Sequence, residues 1–117
     1  MLEGAFTSKL LKKLRTHPIL KDAVIYKHSD YFTKGVPDFS ITFPPVALTT
    51  WWEVKISPNT PTKIQQWYLD HLRPVSYLVT ARPSGREAVI YPSEYGSMNI
   101  ESLVEEIVVQ STIRGTR

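Results

Sequence analysis

Two acids and one lysine, Asp38, Glu53 and Lys55, stand where strand periodicity can bring them together. Asp38 opens the run Asp38–Phe43, in which Phe39, Ile41 and Phe43 alternate with Asp38, Ser40 and Thr42; this is the period of a strand. Thr50–Ile56 repeats the pattern, with Trp52, Val54 and Ile56 on one face and Trp51, Glu53 and Lys55 on the other. If the two strands pair as a hairpin, the carboxylates converge and Lys55 projects beside them. Carboxylate oxygens suit a hard cation such as Mg²⁺, which keeps waters in its remaining positions. A nearby ammonium can orient a water or offset developing negative charge. Together these groups suffice for metal-assisted hydrolysis of a phosphodiester, which needs an activated water and charge neutralisation in the transition state. Singly, each has a plain structural reading: a turn carboxylate after proline, or an ion pair on a solvated strand face. Their joint occurrence in a strand flanked by Trp52 and Val54 favours a site.

The elements that must position them follow from the rest of the pattern. Over Leu2–Arg15, Phe6, Leu10, Leu11 and Leu14 recur at helical spacing while Lys9, Lys12, Lys13 and Arg15 lie mainly on the other side; His17-Pro18 ends this helix. Val24–His28 reads as a short strand and Ser29–Val36 as a loop. Pro44-Pro45 separates the two acid-bearing strands. Thr60 as N-cap and Pro61 at the first helical position predict a helix to about Leu72, stopped by Arg73-Pro74. Val75–Thr80 and Glu87–Tyr91 are expected strands on either side of a turn at 82–85. A last helix carries Ile100, Leu103, Val104, Ile107 and Val108 after an Asn99 cap, on a face that can pack on the core or on a partner, and 110–117 is expected to be a flexible basic tail. The order is α-β-β-β-α-β-β-α, an α/β chain with a mixed sheet flanked by helices.

With 117 residues, 42% of them hydrophobic and 21% charged, one domain over 1–117 is expected. The absence of cysteine excludes a disulfide framework, a thiolate zinc site and a cysteine nucleophile. No run approaches the roughly 18 apolar residues of a membrane span, so a cytoplasmic protein without a membrane partner is expected. The net charge of +3 suits a polyanionic partner without singling one out.

Gly35-Val36-Pro37-Asp38, a strand, and then Glu53-Val54-Lys55 resemble the PD-(D/E)xK nuclease signature. More narrowly the chain resembles the virus-type replication-repair nuclease (VRR-Nuc) domain, whose pattern is a Gly-x-Pro-Asp turn, a Glu-x-Lys strand and a glutamine on the following helix. The resemblance spans about Glu3 to Thr80 and implies a restriction-endonuclease-like core, related in fold to Holliday-junction resolvases. It further implies Asp38 and Glu53 as metal ligands, the Val54 carbonyl as an added ligand and Lys55 as the catalytic lysine. Gln65 corresponds to the helix glutamine, and Glu3 to the acidic residue that many such enzymes carry on the first helix, a further ligand. Mg²⁺ is the implied cofactor, with Mn²⁺ able to replace it. The Pro44-Pro45 insertion and the short chain depart from typical members. Helix geometry points the same way for two of these residues. Glu3 falls within the arc of Phe6, Leu10 and Leu14, and Gln65 lies beside Leu72 while Gln66 falls with Asp70 and Arg73 on the polar side.

The expected activity is therefore a metal-dependent DNA endonuclease, structure-selective or of low sequence preference, acting on linear or branched DNA. The alternatives are a sequence-specific restriction-type nuclease and a non-catalytic nucleic-acid-binding module with the same fold. Lys27, Lys34 and Lys63 lie in or near segments flanking the site and are the expected phosphate contacts. His17, His28 and His71 lack zinc-like spacing and are assigned no role. Trp51, Trp52, Trp67 and Tyr68 are assigned to core packing rather than base stacking. A homodimer is expected, because so small a domain covers few phosphates and a double-strand or junction cut needs two sites.

Overall fold

The computed structural model describes residues 1–28, 34–93 and 95–112. Strands β1 (Val24–Lys27), β2 (Phe39–Phe43), β3 (Leu48–Ile56), β4 (Ser76–Ala81), β5 (Glu87–Tyr91) and β6 (Met98–Asn99) form one mixed sheet in sequence order. Helix α1 (Glu3–Arg15) precedes β1, α2 (Lys63–His71) joins β3 to β4, and α3 (Ile100–Thr112) follows β6. All neighbouring strands are antiparallel except β3 and β4, which are parallel. A parallel pair cannot be closed by a tight turn, and α2 supplies the crossover. The radius of gyration, 13.3 Å, matches the about 13 Å of a compact chain of this length.

One face of the sheet is the core. Phe39, Ile41, Trp52, Val54, Val79 and Ile90 meet Phe6, Leu10, Leu11 and Leu14 of α1 and Ile100, Leu103, Val104, Ile107 and Val108 of α3. The apolar side of α3 is thus spent on its own chain. Buried hydroxyls tie it down: Thr50 Oγ1 and Ser111 Oγ lie 3.2 Å apart, and Trp52 Nε1 donates to Thr50 Oγ1 at 2.8 Å. The opposite face carries α2, whose Leu69 carbonyl accepts from the Ser76 hydroxyl. Alternation then forces Trp51, Glu53 and Lys55 onto the α2 side.

Several expected boundaries move, each for a local reason. α2 begins at Lys63 with Thr62, not Thr60, as its N-cap. The Thr62 hydroxyl accepts from the Gln65 N–H while Gln65 Oε1 accepts from the Thr62 N–H, and this reciprocal box outweighs the Thr60-Pro61 signal. The expected tail from 110 is helical through Thr112, with Ser111 buried against Thr50; residues 113–117 lie outside the described residues, as do 29–33 of the expected loop. β3 starts two residues early, at Leu48, after a short 3₁₀ turn over Pro44–Val46 and Ala47 at φ 51°. β6 has only two residues and no periodicity to reveal it. The Asn99 cap forms as expected, its side-chain oxygen accepting from the Ser102 N–H at 2.8 Å. Among the described residues no helix is long and apolar enough to cross a membrane.

Candidate active site

Register builds the site. Phe39 pairs with Trp52, so one step further Asp38 stands opposite Glu53. On the other flank Lys27 pairs with Phe39, and the next residue, His28, donates its backbone N–H to the Asp38 carbonyl at 2.8 Å. Glu53 in turn pairs with Leu78 of β4. His28, Asp38, Glu53 and Leu78 therefore form one row across four strands. Tyr26, Ser40, Trp51 and Ser76 form the preceding row on the same face. Lys55 sits in the row after.

The chain reaches Asp38 through a turn that only glycine fits. Gly35 has φ +88°, and a Cβ there would lie 2.8 Å from a side-chain carbon of Ile64 and 3.1 Å from its backbone. The turn is pressed against α2 at the point from which β2 starts. Asp38 Oδ2 then accepts the Val54 N–H at 2.7 Å, which fixes one carboxylate oxygen. In an extended strand a residue's N–H and C=O leave on the same side, so the Val54 carbonyl also faces β2.

Glu53 is the unusual group. Its side chain is 1% exposed and, among the described residues, neither oxygen has a hydrogen-bond partner. Lys55 Nζ stands 3.8 Å from Glu53 Oε2 and 3.7 Å from Glu3 Oε1, an ammonium held between two acids. Burial pushes the Glu53 carboxyl up to about 8, reinforced by the Asp38 charge and opposed by Lys55. Asp38 is raised as well, by burial first, with the Val54 N–H working the other way. The two carboxyls lie close enough to compete for one proton, although no well-directed bond joins them. Burying a carboxylate without hydrogen bonds is costly, and burial beside a second carboxyl favours the neutral form of Glu53 more than Lys55 opposes it.

That chemistry fits a hard divalent cation. Asp38 and Glu53 offer carboxylate oxygens on adjacent strands, with the Val54 carbonyl between them, and such cations fill their remaining positions with water. Among the described residues no three Asp, Glu or His side chains close on one point, so the protein offers a partial shell.

No protein-family model matches the chain, and no curated protein or solved structure is detectably similar to it. The site stands on its own geometry.

The remaining expected residues distribute unevenly. Glu3 opens α1 and reaches Lys55, but its side chain is 35% exposed, which corrects the expectation of a buried acid aimed at the core. At the first residue of a helix there is no preceding turn to cover it. The Met1 nitrogen, donating to the Pro83 carbonyl at 2.7 Å, anchors this end of α1. Gln65 is half-buried on the inner side of α2 with Tyr68, Leu69 and Leu72, as helix geometry predicts, while Gln66 Nε2 donates outward to Asp70 at 3.0 Å. The Gln65 side-chain oxygen is occupied by the cap, a role the sequence reading did not give it. Lys34 and Lys63 are exposed near the Gly35–Ile64 contact. Lys27 does not flank the site: it points to the α1 side of the sheet and lines a hollow with Ser8, Lys12 and Arg15. The odd residues of β1 face α1, and the expectation overlooked that parity.

Two aromatic assignments change. Trp52 is fully buried, but Trp67 is 52% exposed and stacks on His71 with ring centroids 4.0 Å apart. At about 100° per residue Trp67 falls on the side of α2 away from Leu69 and Leu72, outside the buried stripe. Trp51 is only partly buried and stacks on His28 at 5.4 Å. His28, assigned no role, lies beside Asp38, and its Nε2 is hydrogen-bonded to Ser40 Oγ at 3.0 Å. Burial lowers its pKa and the Asp38 charge partly restores it. The alternation of Tyr26 and His28 could have flagged this pair, but not the strand position each would face.

Proposed function

We propose that the protein is a metal-dependent nuclease of the PD-(D/E)xK type, with a restriction-endonuclease-like core, hydrolysing DNA phosphodiester bonds with low sequence preference or on branched structures. The observation that carries this reading is Glu53: a fully buried carboxylate with neither oxygen hydrogen-bonded among the described residues, opposite Asp38 and beside Lys55. A module that only bound nucleic acid would gain nothing from an acid buried at such cost.

Asp38, Glu53 and the Val54 carbonyl would hold Mg²⁺ or Mn²⁺, which when bound supplies a water of lowered pKa and charge neutralisation at the phosphate. Lys55, set between Glu53 and Glu3, orients its ammonium toward the attacking water and the phosphate oxygens. Glu3 restrains Lys55 and acts through it. Asp38 is itself restrained by the Val54 N–H, so a free oxygen keeps a fixed direction. Lys34 and Lys63 are the proposed phosphate contacts beyond the site. The VRR-Nuc likeness of Gly35-Val36-Pro37-Asp38 and Glu53-Val54-Lys55 supports the same assignment. A two-fold dimer supplying two sites remains part of the proposal, with an interface other than the apolar side of α3; light scattering that finds only monomer, with and without DNA, removes it.

The deciding experiment incubates the protein with linear duplex, single-stranded, flapped and four-way-junction DNA in Mg²⁺, Mn²⁺ or EDTA. Cutting in either metal and none in EDTA is expected. No cutting of any substrate in any metal overturns the reading.

A further inference from the structure

We infer that Tyr26, His28 and Trp51 form a stacking shelf for an unpaired base beside the candidate active site, so that the preferred substrate is single-stranded or locally opened nucleic acid. The inference rests on the nuclease reading for the polymer and on geometry for the unpaired base.

The shelf is built by the register that builds the acid site. Tyr26, Ser40 and Trp51 lie in one cross-strand row, and His28, Asp38 and Glu53 occupy the next row on the same face. Trp51 is two residues before Glu53, a separation of about 7 Å along a strand. One nucleotide step is of that order, so a base on Trp51 places its neighbouring phosphate at the carboxylates. The rings are already spaced for stacking: His28 lies over Trp51 at 5.4 Å with planes 19° apart, and Tyr26 meets His28 at 5.0 Å. Ser40 Oγ holds the imidazole in place at 3.0 Å.

Core packing does not account for these side chains. Tyr26 is 62% exposed on an edge strand, and Trp51 and His28 are only partly covered. The helix on this face, α2, lies against β4, at the other end of both rows. A flat aromatic surface accepts any base through its π-face, whereas the bases of an intact duplex are stacked on one another and withheld from it. Lys55 within the site, and the exposed Lys34 and Lys63 beside the Gly35–Ile64 contact, supply positive charge for the backbone. That arrangement fits a nucleic-acid strand better than an apolar peptide.

The test is binding without cutting. Fluorescence anisotropy with a labelled single-stranded DNA twelve-mer and the matching duplex, in Ca²⁺ and again in EDTA, reads the wild type, Tyr26→Ala, Tyr26→Phe, Trp51→Ala and Trp51→Phe. Circular dichroism verifies folding, and the two phenylalanine variants retain a stacking ring if an alanine variant loses structure. We expect the wild type to prefer the single strand. Each alanine variant should lose roughly tenfold of that affinity, the lower part of the range for one stacked base. Phenylalanine should restore most of it, and duplex binding should change less than twofold. Single-strand affinity unchanged in both alanine variants, equal losses on both probes, or no detectable single-strand binding by the wild type would each overturn the shelf. Cleavage plays no part in this readout, so an inactive but shelf-dependent binder would sink the nuclease reading alone.

Discussion

Glu53 gives a stability test that does not depend on knowing the substrate. Its ordinary carboxyl value is 4.5 and the fold raises it to about 8. Between those values the folded protein binds a proton that the unfolded chain has released. The contribution to stability is therefore complete below about 4.5 and is lost as pH rises through about 8. At about 1.4 kcal/mol per unit the whole window is worth at most about 5 kcal/mol, of which about 3 kcal/mol is gone by pH 7. Against a total stability on the order of 6–17 kcal/mol for a chain this size, such a loss is readily measured. The perturbation is Glu53→Gln, which keeps the shape, can donate to Asp38 and does not titrate. In EDTA, chemical denaturation of the wild type from pH 4.5 to 9 should show falling stability, while Glu53→Gln should fall less steeply, with the remaining slope due to Asp38, and melt higher at pH 8.5. Divalent metal should act in the opposite sense: ligand at a hundredfold its dissociation constant adds about 2.7 kcal/mol, and it should restore the wild type above pH 7 while leaving Glu53→Gln unchanged. A wild type with constant stability across this range in EDTA, or a variant with the same slope, would refute the claim that burial without a hydrogen bond among the described residues raises Glu53.

Asp38→Asn, Glu53→Gln and Lys55→Met should each reduce cleavage at least a hundredfold, and any pair should cost little more than the worse single change, because the three act as a unit; a plasmid-nicking series in Mg²⁺ measures this, and a single variant at wild-type rate removes that residue. Gln65→Ala should cost about 1 kcal/mol through loss of the α2 cap, while Gln65→Glu keeps the box and the melting temperature. Full activity in Gln65→Glu would assign Gln65 to the cap alone, and an inactive but stable Gln65→Glu would assign its amide to the site. Gly35→Ala should destabilise by at least 1 kcal/mol, from positive φ together with the clash on Ile64, and should lower cleavage by displacing Asp38; an unchanged melting temperature would show that the turn relaxes freely.

How far the sequence could be read depended on whether periodicity or pairing decided the answer. Alternation alone places Glu53 and Lys55 on one face and Trp52 and Val54 on the other, because successive side chains of a strand point to opposite faces. The same logic finds Gln65 on the inner side of α2 and Gln66 on the outer. What alternation cannot supply is register across a long connection. Nine residues lie between His28 and Asp38, so no turn type fixes their partnership, and the row that joins His28 to the acids became visible only with the strands paired. Cap competition is equally silent: Thr60-Pro61 reads as the helix start, and the reciprocal Thr62–Gln65 box that displaces it is seen only in the structure. The misread residues share a physical feature, for Lys27, His28, Trp51, Trp67 and Glu3 all lie on faces or ends whose covering depends on another element. The acid pair needed only one hairpin and one parity, and for that reason it was legible first. A site read from local periodicity is therefore most secure at its paired acids and least secure at its rim, and the proposed shelf of Tyr26, His28 and Trp51 lies on that rim.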